Sequence, residues 1–213
     1  YSLVAGTGDA DNASFNINGD ELRVSFSPDF EIKSSYTVRI RTADQGGLSY
    51  EEAFAITITN VNETPADLSL SANTVNENVT VNTAVGAFST TDPDAANTFT
   101  YSLVAGTGDA DNASFNINGD ELRVSFSPDL ETKSSYSVRI STTDQGGLSY
   151  EEAFAITITN VNETPADLAL SANTVNENVA VNTVVGTLST TDIDAANTFT
   201  YSLVAGTGDA DNA

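Results

Sequence analysis

The segment Ala153-Phe154-Ala155-Ile156-Thr157-Ile158-Thr159 alternates large apolar side chains with small or polar ones at period two, the pattern of a half-buried strand. Similar runs, rich in Val, Ile, Thr, Tyr and Phe and bounded by Asn, Asp and Gly, predict strands over 67–72, 84–90, 98–104, 114–117, 121–126, 136–142 and 150–160. Asn118-Gly119-Asp120 reads as a tight hairpin turn. No segment carries a helical period. Seven short strands in about 100 residues predict an all-β protein, a Greek-key β-sandwich.

The pattern recurs. Residues 101–200 repeat residues 1–100 without a gap and differ at eleven positions: 30, 32, 37, 41, 43, 69, 80, 84, 87, 88 and 93. A fixed period of this length fits a whole small domain, so the chain reads as an array of tandem seven-stranded sandwiches. Asn162-Glu163-Thr164-Pro165-Ala166-Asp167 is the best linker, because Pro165 breaks a ladder. One complete module then spans 66–165. Residues 1–65 form a partial repeat lacking its first two strands, and 166–213 hold the first three strands of the next. The motif YSLVAGTGDADNA stands at 1–13, 101–113 and 201–213, so both ends fall in mid-module. Two expectations follow: a window of a longer array, or a head-to-tail filament in which identical chains complete each other by strand complementation.

Composition narrows the chemistry. Cys, His, Met and Trp are absent, which excludes disulfides, thiolate metal sites and catalytic triads with a His base, and makes zinc a poor fit. No apolar run is long enough for a membrane helix in this segment. Thirty acidic residues face seven basic ones, for a net charge of −23, so nucleic acid is a poor partner. The acids gather at predicted strand ends and loops: Glu77, Asp92 and Asp94, Asp129 and Glu131, Asp144, and Glu163 with Asn162. Calcium takes six to eight oxygens from such groups. Gly106-Thr107-Gly108-Asp109-Ala110-Asp111-Asn112 is a second acidic loop, read either as a plain loop or as an extra ion site.

The order of these motifs resembles the cadherin repeat. Val75-Asn76-Glu77-Asn78 resembles its first-strand glutamate motif, and Asp92-Pro93-Asp94 its Asp-x-Asp loop. Asp129-Leu130-Glu131 resembles its Leu-Asp-Arg-Glu motif, Asp144-Gln145-Gly146 its Ala-x-Asp-x-Gly motif, and Asn160-Val161-Asn162-Glu163-Thr164-Pro165 its linker. Near-identical tandem copies are similar to those of bacterial surface proteins and adhesins. The resemblance implies Ca2+ at junctions between repeats. At one junction it implicates Glu77, Asp129, Glu131, Asn162 and Glu163, with Asp192 and Asp194. At the other it implicates Asp29, Glu31, Asn62 and Glu63, with Asp92, Asp94, Asp144 and Asn97. Glu177 of a neighbouring chain would supply the first-strand glutamate there. The linker departs from the family at Asn60 or Asn160, Glu63 or Glu163, and Thr64 or Thr164. Phe30 or Leu130 replaces an Arg. Fewer charges imply weaker binding and nearer two ions than three per junction.

The expected function is a calcium-stiffened structural repeat of an extracellular, cell-surface adhesin or filament, with no enzymatic activity. The alternative is a calcium-dependent carbohydrate-binding module of a secreted protein, with cell-surface polysaccharide as partner. That reading calls for exposed aromatics, yet aromatics total 8% and Trp is absent.

Overall fold

The computed structural model describes residues 1–208 and 210–212; positions 209 and 213, in the third copy of the opening motif, lie outside the described residues. Fifteen described strands account for nearly all regular structure, with only two short 3-10 turns, at Asn12–Ser14 and Asn112–Ser114. In the first copy they are β1 (Ser2–Leu3), β2 (Phe15–Asn18), β3 (Glu21–Val24), β4 (Ser35–Ala43) and β5 (Ser49–Thr57). The complete repeat holds β6 (Asp67–Leu70), β7 (Thr74–Asn76), β8 (Ala84–Thr91), β9 (Phe99–Leu103), β10 (Phe115–Asn118), β11 (Glu121–Val124), β12 (Ser135–Asp144) and β13 (Ser149–Thr159). The last copy holds β14 (Asp167–Leu170) and β15 (Leu188–Thr191).

In the complete repeat the strands form two four-stranded sheets, ordered β10-β11-β8-β6 and β7-β13-β12-β9. All seven expected strands appear close to their predicted ranges. An eighth, β7, follows β6 within a few residues but joins the other sheet, where it pairs in parallel with β13 through Thr157↔Thr74, Ile158↔Val75 and Thr159↔Asn76. Three residues are too few to show an alternation, so β7 left no periodic signal. Gly86 permits this change of sheet, because a Cβ there would lie 2.5 Å from the Ala72 carbonyl oxygen. The hairpin between β10 and β11 closes with Gly119 and Asp120 as its two turn residues. Gly119 sits at φ 65°, as a type II′ turn demands at its first position.

The third strand expected in 166–213, near 198–204, does not form. Its counterpart β9 lies beside β12, whereas no described strand lies beside residues 198–204. A strand without a ladder partner has nothing to hold its backbone extended.

Two compact units divide the chain. One comprises Tyr1–Ser69, Ser89–Ser102 and Ser141–Glu152, the other Leu70–Phe88, Leu103–Ile140 and Ala153–Ala213. The first has a small core of Phe15, Tyr36 and Val38, with Leu3, Leu22, Phe26, Ile40, Ile56 and Ile58 packed on it. In the second, Leu122, Val124, Val138, Ile140 and Ile156 are fully buried. Phe88 on β8 meets Phe154 on β13 at 6.2 Å between ring centroids, which closes the two sheets on each other. Both units repeat one aromatic triad. Phe15, Phe26 and Tyr36 match Phe115, Phe126 and Tyr136 with near-identical ring geometry.

Candidate metal centres

In the second unit, Glu77 follows directly after β7. Both of its carboxylate oxygens accept backbone N–H groups, Oε1 from Val161 and Oε2 from Leu130, each at 2.8 Å. These two bonds fix the linker and the loop after Pro128 around one buried carboxylate. Glu163, in the linker, donates its N–H to Asp194 Oδ2 (2.8 Å), and the Asp194 N–H donates to Asp192 Oδ1 (3.0 Å). The result is a convergence of charge: oxygens of Glu77, Glu131, Glu163 and Asp194 all lie within 4.8 Å of one another. No cation from the protein enters this cluster among the described ion pairs.

The first unit builds the same arrangement from the earlier copy. Glu63 donates its N–H to Asp94 Oδ2 (2.8 Å), and Asp94 N–H donates to Asp92 Oδ1 (2.9 Å). Oxygens of Glu31, Glu63 and Asp94 lie within 4.8 Å of one another. Asp144, almost fully buried, accepts Asn62 Nδ2 at 2.8 Å. Gly146 must lack a side chain here, because a Cβ would fall 2.4 Å from the Asn62 amide.

The carboxyls respond to this crowding. Burial pushes Glu63 above its ordinary value, and Glu31, Asp94, Asp29 and Asp92 add repulsion. At Glu163 the Asn78 amide bond pulls the value down, but burial with the charges of Glu77 and Asp194 prevails and raises it. Glu131 is likewise raised. Its own backbone N–H opposes the shift, while burial, Glu77 and Glu163 drive it. Asp194 is held low, first by the Glu163 N–H and then by the Asn160 amide. Asp144 is also low: burial opposes this, but the Asn62 amide and three backbone N–H groups outweigh it.

One observation tests whether these residues fit a cation. Glu63 Oε2, Asp92 Oδ2, Glu163 Oε2 and Asp194 Oδ1 are buried oxygens with no hydrogen-bond partner. Orphaned carboxylate oxygens that face one another are costly without a counter-charge. A hard divalent cation with oxygen ligands is the group this donor set fits.

Of the sixteen expected site residues, seven converge in the two clusters: Glu77, Glu131, Glu163 and Asp194, and Glu31, Glu63 and Asp94. Asp92 and Asp192 attach to Asp94 and Asp194 by the hydrogen bonds given above, and Asn62, which holds Asp144, also donates to the Glu63 carbonyl at 3.3 Å. Asp29 contributes its charge to Glu63. Asp129 accepts both the N–H and the hydroxyl of Thr132. Asn162 donates to the Glu163 carbonyl. The Asn97 side-chain carbonyl is engaged by Gln145 Nε2 at 3.0 Å. Glu177 is exposed in the last copy and is a member of neither cluster. Sequence reasoning missed Asn78, whose amide holds Glu163 Oε1 at 2.6 Å, and it saw Asn60 only as a lost charge, although that amide donates to Asp94 Oδ1 at 2.6 Å. Asn78 stands next to Glu77 at positive φ, the one local hint of a special role.

The second acidic loop is accounted for internally. Asp109 accepts the Gly106 N–H, while Asp111 pairs with Lys133 and accepts the Ser137 N–H; Asp9 and Asp11 repeat these contacts in the first copy. Tyr136 is buried in the aromatic triad.

No protein-family model matches the chain. Human protocadherin Fat 1 is 27% identical over 219 residues, covering 97% of this chain and 5% of that protein. Rat cadherin-8 is 28% identical over 193 residues, covering 78% of this chain and 23% of that protein. The chain thus spans under a quarter of the length of these curated relatives. Among solved structures, protocadherin gamma B7 domains EC3-6 in a cis-dimer align with a TM-score of 0.63 at 20% identity, covering 91% of this chain and 50% of that one. Protocadherin gamma B2 extracellular cadherin domains 3–6 align at 0.58 and 20%, covering 89% and 47%. With its two four-stranded sheets, the chain has the fold of the cadherin domains in these structures.

Proposed function

We propose that this chain is a calcium-stiffened structural segment of a bacterial cell-surface adhesin or extracellular filament, with Ca2+ held where one repeat meets the next. The repeats run 1–65, 66–165 and 166–213, and the segment is extracellular and non-catalytic. The carrying observation is the pair of carboxylate clusters whose buried oxygens lack partners. Glu77, Glu131, Glu163 and Asp194 would hold an ion at one junction, and Glu31, Glu63 and Asp94, with Asp92, at the other. The ion would supply the missing positive charge and tie each linker to the loops on both sides of it. The near identity of the copies supports a repetitive, load-bearing role rather than one unique site. A carbohydrate-binding role gains nothing from the aromatic triads, which pack inside.

The test is small-angle scattering and a melting curve on the chain in millimolar Ca2+, in excess chelator, and in Mg2+. Chelator should lower the melting temperature and shorten the maximum dimension, and Mg2+ should not restore either. Identical curves with and without chelator would overturn the reading.

A further inference from the structure

Glu77 and Asn78 are neighbours in sequence, and an extended chain would send their side chains to opposite faces. The fold brings both to one place. Glu77 is a member of the cluster it forms with Glu131, Glu163 and Asp194, and the Asn78 amide donates to Oε1 of Glu163 at 2.6 Å. The backbone makes this possible. Asn78 sits at φ 59°, in the left-handed region, and its N–H donates to the Pro128 carbonyl at 2.8 Å. Asn178 adopts φ 65° at the same point of the last copy. A left-handed bend directly after the first-strand glutamate is therefore a repeated feature of the chain.

Glycine meets the demands of such a bend at no steric cost. Asparagine tolerates it and brings what glycine lacks, a side-chain donor. That donor holds one oxygen of Glu163, while the other, Oε2, is buried without a partner. Asp194 is only 7% exposed and is tied in the same way: its Oδ2 takes the Glu163 N–H, and its Oδ1 is buried without a partner. Each of these two carboxylates is thus fastened by one oxygen and open at the other. An amide does this as a neutral group, so it adds no charge that would repel a cation from the open oxygens.

We propose that Asn78 is a positioning residue for the cation site of Glu77, Glu131, Glu163 and Asp194. The left-handed backbone aims the amide, and the amide holds the Glu163 carboxylate so that Oε2 stays with the other open oxygens. This role rests on the calcium reading proposed above and gives a part in it to an uncharged side chain that acts through Glu163. A glutamate free to rotate has to be ordered by the ion itself, and that ordering is subtracted from affinity. Hydrogen-bond partners of metal ligands typically carry about 10–100-fold of metal affinity. Asn78→Gly is the sharp probe, because it keeps the bend and removes only the amide.

The experiment uses the whole chain in four forms: the parent, Asn78→Gly, Glu163→Gln and the double variant. Calorimetric titration with Ca2+ reads the affinity of each site, with the cluster of Glu31, Glu63 and Asp94 as internal reference. Melting in Ca2+ and in excess chelator reads the fold, and circular dichroism checks that each variant is native. Asn78→Gly should weaken one site by about 10-fold or more and leave the other at the parent's affinity. In the Glu163→Gln background the same substitution should change affinity little, because its effect passes through Glu163. It should also shift melting far more in Ca2+ than in chelator. Parent affinity at both sites in Asn78→Gly overturns the proposal, as does an equal loss of affinity in the two backgrounds. An equal shift of melting in Ca2+ and in chelator overturns it too, because Asn78 would then hold the fold and not the site. A parent that takes up no Ca2+ would overturn the function proposed above and this role with it, an outcome distinct from failure at Asn78 alone.

Discussion

Residues 1–65 and 101–165 differ at five positions, yet they live in different surroundings. Leu122 and Val124 are fully buried, whereas Leu22 is half-buried and Val24 is 46% exposed. Strand β13 runs to Thr159, but β5 stops at Thr57. Neither contrast follows from the substitutions at 30, 32, 37, 41 and 43, none of which lies in these strand ends. Both follow the described strand pairing: β8 covers β11 and β7 extends β13, and no described strand does either for β3 or β5. The hairpin turn, the aromatic triad and the Asp11 latch are the same in both copies, because each draws only on residues within the copy. Local features thus repeat with sequence, and burial repeats only with the partner.

The largest effect that would break this comparison is an asymmetric response to one substitution. Val124→Asp places an unpaired carboxylate in a closed core and should cost more than about 4 kcal/mol, enough to unfold the complete repeat. Val24→Asp should cost less than about 1 kcal/mol, measured by urea melts at micromolar concentration so that association does not intervene. Equal costs would mean that the first copy is covered in solution by something within its own chain.

Chelation comes next. With free Ca2+ a hundredfold above the dissociation constant, each ion adds about 2.7 kcal/mol. In a chain of this size that shifts melting by about 2–4 °C per kcal/mol. Two junctions differing by Glu77 should differ in affinity, the four-carboxylate cluster filling first. Calorimetric titration of Glu77→Ala should then show two sites of similar, weaker affinity. An unchanged isotherm would remove Glu77 from the ligands.

Protons sharpen the same contrast with a change of sign. Glu63, Glu131 and Glu163 are raised in the folded chain, so the folded state binds their protons more readily than the unfolded state does. In chelator, lowering the pH from 7 to about 5 should therefore raise the melting temperature by relieving repulsion. Further acid should reverse this, because Asp129 and Asp194 are held low and their contribution is lost as pH falls through their folded values. In saturating Ca2+ the first step should instead lower melting, since protons compete with the ion. Parallel pH curves in the two buffers would contradict the cluster as a cation site.

Much of this was legible in the sequence. The alternation in 153–159 is a strand because period two is the signature of a surface covered on one side. The spacing of Glu131, Glu163 and Asp194 could be aligned with a family order. What stayed hidden depended on contacts between distant residues. Strand β7 is three residues long and exists because β13 offers an edge. Asp129 stands outside the grouped carboxylates, and Thr132 donates to both of its oxygens. Asn60 reads as a lost charge until its amide is seen on Asp94. The third strand of the last copy read as well as β9 does and still failed to form, for want of a neighbour.

The smallest effect isolates a feature that should ignore surroundings altogether. Ala96 and Ala196 both sit at φ 63° in the loop that carries the Asp-x-Asp carboxylates. A left-handed alanine costs about 1–2 kcal/mol, and glycine removes that strain while adding about 0.5–1 kcal/mol of unfolded-state entropy. Ala96→Gly and Ala196→Gly should each therefore stabilise by about 0.5–1 kcal/mol in chelator, and by equal amounts. The loops differ only at Pro93 and Ile193, and the proline fixes a residue that is not the strained one. Equal gains would show that the strain belongs to the loop itself. A gain at Ala96 alone would instead point to the hydrogen bond from Gln145 to Asn97, which fastens the first loop to the stretch after β12. Strain there would be imposed from outside, like the burial of Val124.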